Sequence, residues 1–447
     1  MHKHDLSQRL FLLAVLTAFS FSCKSSPTGP HVGQNLQLST DYVTCTEVWL
    51  KVAYSGQSSP VSGGEFKITR DGDTVLTGNL TGSDTTVIDT TAQPEQAYTY
   101  RAYRYFRNQV SDTSLAIQVS TLDTTSHDFS WQVFQFGGAA SSYLYDVSIV
   151  NDSDVWAVGA IYVDSADGQA DPYPYNVEHW DGRSWQAMRI DFYTIWGQFY
   201  MTSLPAQAVF ALDRNHVWIV SNNSELAEWN GVSQETPILL PVSPNRIWGS
   251  DSNSIYAAGV AGYGGGVAYY DGYTWQKIPT TATLAIQDIW GKVNPKTGKE
   301  VVMAVASDFS TPNQKEVLEV TPRSADTVNS AGLRWSIHSI WSPDGWLYYI
   351  CGDGIFKDYS LDTPWRLTSY QSSQYTERIR GNAVNDFVIA GDLGLLVHYN
   401  GSSFREYNGH DLPNFLGNYY SVDMKGNMIV AVGSLNSGQA IAVIGRR

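Results

Sequence analysis

The sequence predicts an all-β protein: an N-terminal β-sandwich followed by a roughly seven-bladed β-propeller closed by an N-terminal strand. Three observations lead there. A phrase of the form aspartate-glycine-x-(Ser/Thr)-tryptophan stands at Asp181-Gly182-Arg183-Ser184-Trp185 and at Asp271-Gly272-Tyr273-Thr274-Trp275, with a degenerate copy at Asn400-Gly401-Ser402-Ser403-Phe404. A second phrase precedes each copy, an acidic or Asn-rich turn and then a β-branched or aromatic run ending in Gly, as at residues 154–159, 254–259 and 386–391. A return every ~40 residues marks an array or propeller. The third observation is composition. The chain holds 15 Trp, 27 Tyr and 38 Gly, which suits many short strands and tight turns, and no long stretch carries helical periodicity.

The bulk numbers fit two domains. The chain has 447 residues, 43% of them hydrophobic, enough for real cores. Its net charge is −15. Phosphate recognition needs clustered Lys and Arg, and no such run exists, so nucleic acid is not expected as a partner. An acidic surface is ordinary for an exported soluble protein.

In chain order, residues 1–22 read as a signal peptide. Lys3 and Arg9 give a positive start, and the apolar stretch from Leu10 to Phe21 is too short to span a bilayer. Ser20-Phe21-Ser22-Cys23, followed by a Ser/Pro/Gly tether over 23–33, resembles a bacterial lipoprotein signal. That resemblance implies that Cys23 is the lipid-attachment residue and that the chain is a membrane-anchored lipoprotein of the outer membrane, on the periplasmic side or the cell surface. The sequence departs from the family at Ser20, where Leu is usual. Simple cleavage after Ala18-Phe19-Ser20 is the alternative. Cys45 and Cys351 fall in different predicted domains and read as buried apolar residues, not a disulfide.

Residues 34–122 carry six or seven short strands, the density of a sandwich. Pro94-Glu95-Gln96-Ala97-Tyr98-Thr99-Tyr100-Arg101-Ala102 resembles the stretch leading into strand F of a fibronectin type III domain, and Trp49 falls where that family places a core tryptophan. The resemblance implies that Tyr98 is the corner tyrosine whose hydroxyl ties back to nearby backbone.

Residues 129–447 form the predicted propeller. Middle strands are expected around Val155, Val217, Ile255, Val301, Leu347, Phe387 and Met428; six and eight blades also fit, because the repeats near Val217 and Val301 are irregular. Phe129-Ser130-Trp131-Gln132-Val133-Phe134 matches the strand after each Asp-Gly turn but has no blade of its own, while the last repeat lacks that strand. Pairing the two would close the ring and remove two free sheet edges. Asp-Gly suits a type I′ hairpin, with positive φ at both central residues. Ile-Trp-Gly recurs at 195–197, 247–249 and 289–291, with Ile340-Trp341-Ser342 as a variant, and should end the innermost strands. The pattern resembles bacterial secreted propellers with sialidase-like or photosystem-assembly-factor-like repeats. The Asp-Gly turns resemble the sialidase Asp box, which is itself a structural turn, and they lack its leading Ser.

Sites are less defined. No Gly-x-Ser-x-Gly elbow, His-Glu-x-x-His motif or outstanding carboxylate pair is present, so no catalytic residue, metal or cofactor is expected. Trp196, Trp248, Trp290 and Trp341 recur and read first as packing, with a sugar-stacking ring as the alternative. The longest insertion, residues 162–177, carries Asp164, Asp167 and Asp171 beside Pro172-Tyr173-Pro174-Tyr175; it reads as a solvated acidic loop, with calcium as the alternative. Insertions on a regular scaffold carry specificity, which makes Tyr173, Tyr175, Phe192, Tyr200 and Tyr263 the candidate ligand-binding residues. The resulting expectation is non-enzymatic binding of an envelope protein or polysaccharide by a monomer. Two other readings are a glycan hydrolase or lyase with an accessory fibronectin-like module, and a scaffold in an outer-membrane complex.

Overall fold

The structure is a computed structural model. It describes residues 31–32, 35–55, 64–80, 82–138, 141–164, 171–194, 200–308, 311, 314–359, 361, 363–412 and 416–447. The expected signal peptide and Cys23 lie outside the described residues. Contacts divide the chain into two units, one of Met1–Tyr42, Val48–Thr90 and Ala97–Ser120, the other of Val43–Glu47, Thr91–Gln96 and Thr121–Arg447.

The smaller unit is built from two sheets. Leu36–Val43, Val48–Tyr54 and Asp84–Asp89 form one, and the second is organised around Ala97–Phe106, which pairs with Glu65–Arg70, Gln109–Thr113 and Ile117–Ser120. Alternation along the strands buries Val48, Leu50 and Val52 in one sheet and Phe66, Ile68, Tyr100 and Ala102 in the other. Trp49 is buried too, but on the alternate face of its strand, edge-on to Tyr42. Tyr100, two residues beyond the expected corner Tyr98, is tied by its hydroxyl. Tyr100 is fully buried, and its hydroxyl donates to Asp89 at 2.8 Å. Arg70 reaches the same carboxylate at 2.8 Å, so the pair bridges the two sheets. Tyr98 lies on the same strand face, two residues nearer the strand's start, where it stays half-buried under the Arg70 guanidinium.

The larger unit contains seven four-stranded antiparallel sheets among the described residues. Sheet 1 begins with Tyr143–Asn151 and Asp154–Ile161, sheet 2 with Ala206–Asp213 and His216–Ser221, sheet 3 with Ser243–Asp251 and Ser254–Ala261. Sheet 4 begins with Ile286–Val293 and Glu300–Ser307, sheet 5 with Ile337–Trp341 and Tyr348–Gly352, sheet 6 with Thr376–Ala383 and Asp386–Gly391. Sheet 7 runs Gly417–Lys425, Met428–Leu435 and Ala440–Arg446. Its fourth strand is Ser130–Phe136, paired antiparallel with Ala440–Arg446 from Ser130↔Arg446 to Phe136↔Ala440. Each first strand packs against the first strand of the next sheet, and the seventh packs against the first. The circle is therefore closed by the orphan strand that the sequence singles out.

The second strands lie between neighbouring sheets and are covered on both faces. Every residue of Asp154–Ile161 and Asp386–Gly391 is buried, which is why these segments read as continuous apolar runs. The Gly that ends them has a local cause. In all seven sheets the pairing of strands 1 and 2 slips by one residue at the same place, a β-bulge. The bulge presses a carbonyl onto the second strand, so a Cβ on Gly159, Gly259, Gly391 or Gly433 would collide with the oxygen of Tyr143, Ser243, Tyr375 or Asn418.

The Asp-Gly turns differ from the expected type I′ geometry. Only the glycines are left-handed, with φ of 95° at Gly182 and 89° at Gly272; Asp181 and Asp271 are not. The strands are four residues apart, and the aspartate carboxylate closes the loop instead. Asp181 Oδ1 accepts the backbone N–H groups of Arg183 and Ser184 at 2.8 and 2.9 Å, and Asp271 does the same at Tyr273 and Thr274. This is an Asx turn. Asn230 makes it too, and Thr321 closes the equivalent turn with its hydroxyl, in the two repeats that look irregular in sequence. Trp185 then packs on Phe134 and Phe136 of the closing strand, filling the gap between sheets 1 and 7.

Candidate binding face and axial chamber

Strands alternate in direction, so the connections from strand 2 to strand 3 and from strand 4 to the next sheet leave a ring of sheets on one side. The connections from strand 1 to 2 and from 3 to 4 leave on the other. Tyr173 lies in the 2-to-3 connection of sheet 1, Tyr200 in the connection between sheets 1 and 2, and Tyr263 in the 2-to-3 turn of sheet 3. The Asx turns are on the opposite side.

Two of the candidate tyrosines meet. The Tyr173 and Tyr200 hydroxyls are 3.3 Å apart, and both rings are exposed; the shared hydrogen bond holds the Tyr200 hydroxyl above its ordinary pKa. Arg189 fixes the loop. It donates to Asp171 at 2.5 Å and to the Tyr173 carbonyl at 2.9 Å, and its guanidinium lies 4.3 Å from the centre of the half-buried Tyr175 ring. The Asp171 carboxyl sits below the usual range because it accepts the Tyr173 backbone N–H and faces Arg189. Asp167 lies outside the described residues. Tyr263 is fully exposed at its turn.

Phe192 does not reach this surface. It is completely buried, packed with Val177, Ile190, Ala206 and Val209 between sheets 1 and 2. Its strand, Asp191–Tyr193, pairs with Met201–Ser203, and the apolar ring anchors this connection from beneath. It offers no surface to a ligand.

The repeated bulge builds a second feature. The residues just after it are Asp146, Ala208, Arg246, Asp288, Ser339, Arg378 and Ser421, one per sheet, and two positions on stand Ser148, Phe210, Trp248, Trp290, Trp341, Arg380 and Asp423. Trp196 and its Ile-Trp-Gly lie outside the described residues, and sheet 2 has Phe210 at the matching place. Trp341 and Trp248 are buried, while Trp290 is half-buried. The Trp248 ring occupies the space where a side chain on Gly291 would stand.

These rows form a polar circuit around the centre, hydrogen-bonded in separate clusters. Asp288, fully buried, accepts from Arg378 Nη1 at 2.6 Å, from Arg380 Nη1 and Nη2 at 3.0 and 2.8 Å, and from the Ser339 hydroxyl at 2.6 Å. Asp146 accepts from Ser421 of sheet 7 at 2.8 Å and from the Val209 N–H of sheet 2 at 3.2 Å. Burial works to raise the Asp288 carboxyl, but Arg378 and Arg380 outweigh it and hold the pKa far below the carboxylate range. Burial, and then the charge of Arg380, press Arg378 down to about 9, so it stays protonated at neutral pH. Burial pushes the Asp423 carboxyl up. Inside the circuit is a chamber of about 320 Å3, lined by first strands from six of the seven sheets. Lys292, Asn382 and Lys425 stand at its mouth, near the strand ends that lead into the 1-to-2 turns, on the side away from the tyrosines.

A further cluster was missed in the sequence. Asp154 accepts from Trp156 Nε1 and faces His179 Nε2, each at 2.9 Å. Sheet 6 repeats the pair as Asp386 and His398 at 2.9 Å, and there His127 joins, its Nδ1 2.8 Å from His398 Nδ1. Because Asp386 can only accept, His398 Nδ1 is left as an acceptor and His127 Nδ1 donates to it. The signal is an Asp opening strand 2 together with a His two residues before the Asx turn.

No family model matches the chain, and no curated protein does. Solved structures match. The structure of YCF48 bound to D1 peptide is 17% identical, with a TM-score of 0.52 over 72% of this chain and 97% of that one. The WD40 β-propeller domain of Doa1 is 14% identical, with a TM-score of 0.50 over 72% of this chain and 98% of that one. The larger unit is a β-propeller. In the propeller the candidate tyrosines share a face with each other and not with the chamber mouth.

Proposed function

We propose that this chain is a non-enzymatic binding protein of the cell envelope, held to the membrane by lipid on Cys23, whose propeller uses the tyrosine-bearing face to bind a protein or peptide. Each four-stranded sheet is read as one blade of seven, and the smaller unit as a fibronectin type III-like module. The observation that carries the reading is the Tyr173–Tyr200 pair. Two separate connections bring exposed aromatic rings together, and Arg189 braces them from below. Rigid, exposed aromatics beside an arginine are the usual anchors of a protein interface. The peptide bound to YCF48 supports this class of ligand for the fold.

The test is capture with the soluble chain from Gln34 to Arg447, presented with envelope extract and a glycan panel and read by mass spectrometry. One enriched protein, lost when Tyr173→Ala and Tyr200→Ala are combined, is the expected result. Capture unchanged by that double substitution would remove the assigned face. A bound glycan would replace the protein ligand with a carbohydrate.

A further inference from the structure

The axial chamber carries an inference that does not rest on the tyrosine face. Its lining divides by chemistry. Phe210, Trp248 and Trp290 supply aromatic surface, while Lys292, Lys425 and Arg378 supply cations. The charge of the lining is unbalanced: Lys292, Arg378, Arg380 and Lys425 stand against Asp423, in a chain whose net charge is −15. The bonds of Asp288 are already committed to Arg378, Arg380 and Ser339. Arg378 lines the chamber while only 6% exposed, so an acceptor that reaches its guanidinium there makes a charge-assisted contact away from bulk water.

We propose that the chamber binds a small organic carboxylate, its apolar body against Phe210, Trp248 and Trp290 and its carboxylate toward Arg378, Lys292 and Lys425. The volume of about 320 Å3 holds on the order of ten waters, which limits the ligand to roughly ten non-hydrogen atoms. An aromatic ring with a short carboxylate arm has that size. The low dielectric of a walled chamber strengthens the ion contact, and the mouth lysines draw the anion in from solution.

Phenylacetate is the probe, titrated calorimetrically into the full chain with tryptophan fluorescence read in parallel. Phenylacetamide is the neutral isostere, and inorganic phosphate is an anion without an apolar body. One-to-one binding of phenylacetate with a Kd of about 1 mM or tighter is expected, at least about tenfold weaker binding of the amide, and no stronger binding of phosphate. Arg378→Gln would strip Asp288 of a partner and risks unfolding, so Lys292→Ala with Lys425→Ala, both exposed, is the variant of choice. It should weaken phenylacetate at least about tenfold. The proposal is overturned by no phenylacetate binding at about 10 mM, equal binding of the amide, tighter binding of phosphate, or an unchanged affinity in the double variant.

Discussion

Replacing Asp288 with Asn tests how the centre of the propeller is held together. Asp288 is fully buried and takes hydrogen bonds from Arg378, Arg380 and Ser339, with the Ile340 N–H at 3.1 Å as a further donor. Asn keeps the shape, but it removes the charge and turns one acceptor into a donor facing an arginine. Two guanidiniums are then left buried without their shared counter-ion. Breaking a buried pair in this way costs about 3–5 kcal/mol, a large part of the ~5–15 kcal/mol that holds a typical domain. Ser339→Ala, which removes one bond to the same carboxylate, should cost about 1.5–3 kcal/mol. Urea unfolding followed by tryptophan fluorescence reads both, with a lower midpoint and an unchanged slope. The control is Asp288→Leu combined with Arg378→Met and Arg380→Met, which removes both guanidiniums with their shared carboxylate and should recover part of the loss, Asp146 giving up its 3.6 Å contact with Arg378. A loss below about 1 kcal/mol for Asp288→Asn would refute the argument that this carboxylate is what neutralises the arginines.

Three other outcomes follow from the same geometry. Gly259→Ala drives a Cβ into the Ser243 carbonyl and should cost about 1–3 kcal/mol in urea unfolding; a neutral result would mean that the bulge yields. Deleting Ser130–Phe136 uncovers the edge of Ala440–Arg446, and the shortened chain should self-associate with concentration on a sizing column, whereas a well-behaved monomer would show that the closing strand is dispensable. Burial, and then His398 and Arg405, hold His127 down to about 4, and burial lowers His398 as well. The unfolded chain therefore binds more protons between about pH 6.5 and pH 4, and stability falls as the pH drops through that window. For His127 the shift corresponds to at most about 3 kcal/mol, cut to about 1–2 by solvent at the ring edge. Urea midpoints across the window should slope in wild type and less steeply in His127→Gln, where His398 still contributes; equal slopes would contradict the account.

The repeat was legible because its signals are local. Ser254 to Gly259 carries its own alternation, turn and terminal Gly, and the tryptophan after each turn marks a fixed place. The closing strand was legible for the same reason: Trp131 belongs to a phrase with no blade of its own. What sequence reading missed depends on register or on distance. The bulge shifts side-chain parity at Asp146, Arg246, Asp288 and Arg378, so simple alternation does not reveal a polar circuit. The turn type is not legible from Asp-Gly alone, because an Asp side chain closes the loop in place of backbone twist. Tyr98 and Tyr100 share a strand face, and only packing distinguishes them. Phe192 sits in an aromatic-rich connection exactly like Tyr200 in composition, yet it points inward. The meeting of Tyr173 with Tyr200 spans a long connection that no local pattern encodes.

The measurement closest to the central claim is site-specific photo-crosslinking with a photoreactive phenylalanine placed at Tyr200 or at Tyr273. Both side chains are exposed, but Tyr273 lies in an Asx turn on the opposite side of the propeller. In envelope extract, a single protein adduct from position 200 and none from 273 is the predicted result. The same adduct from 273 alone would place the binding surface on the other face and contradict the account.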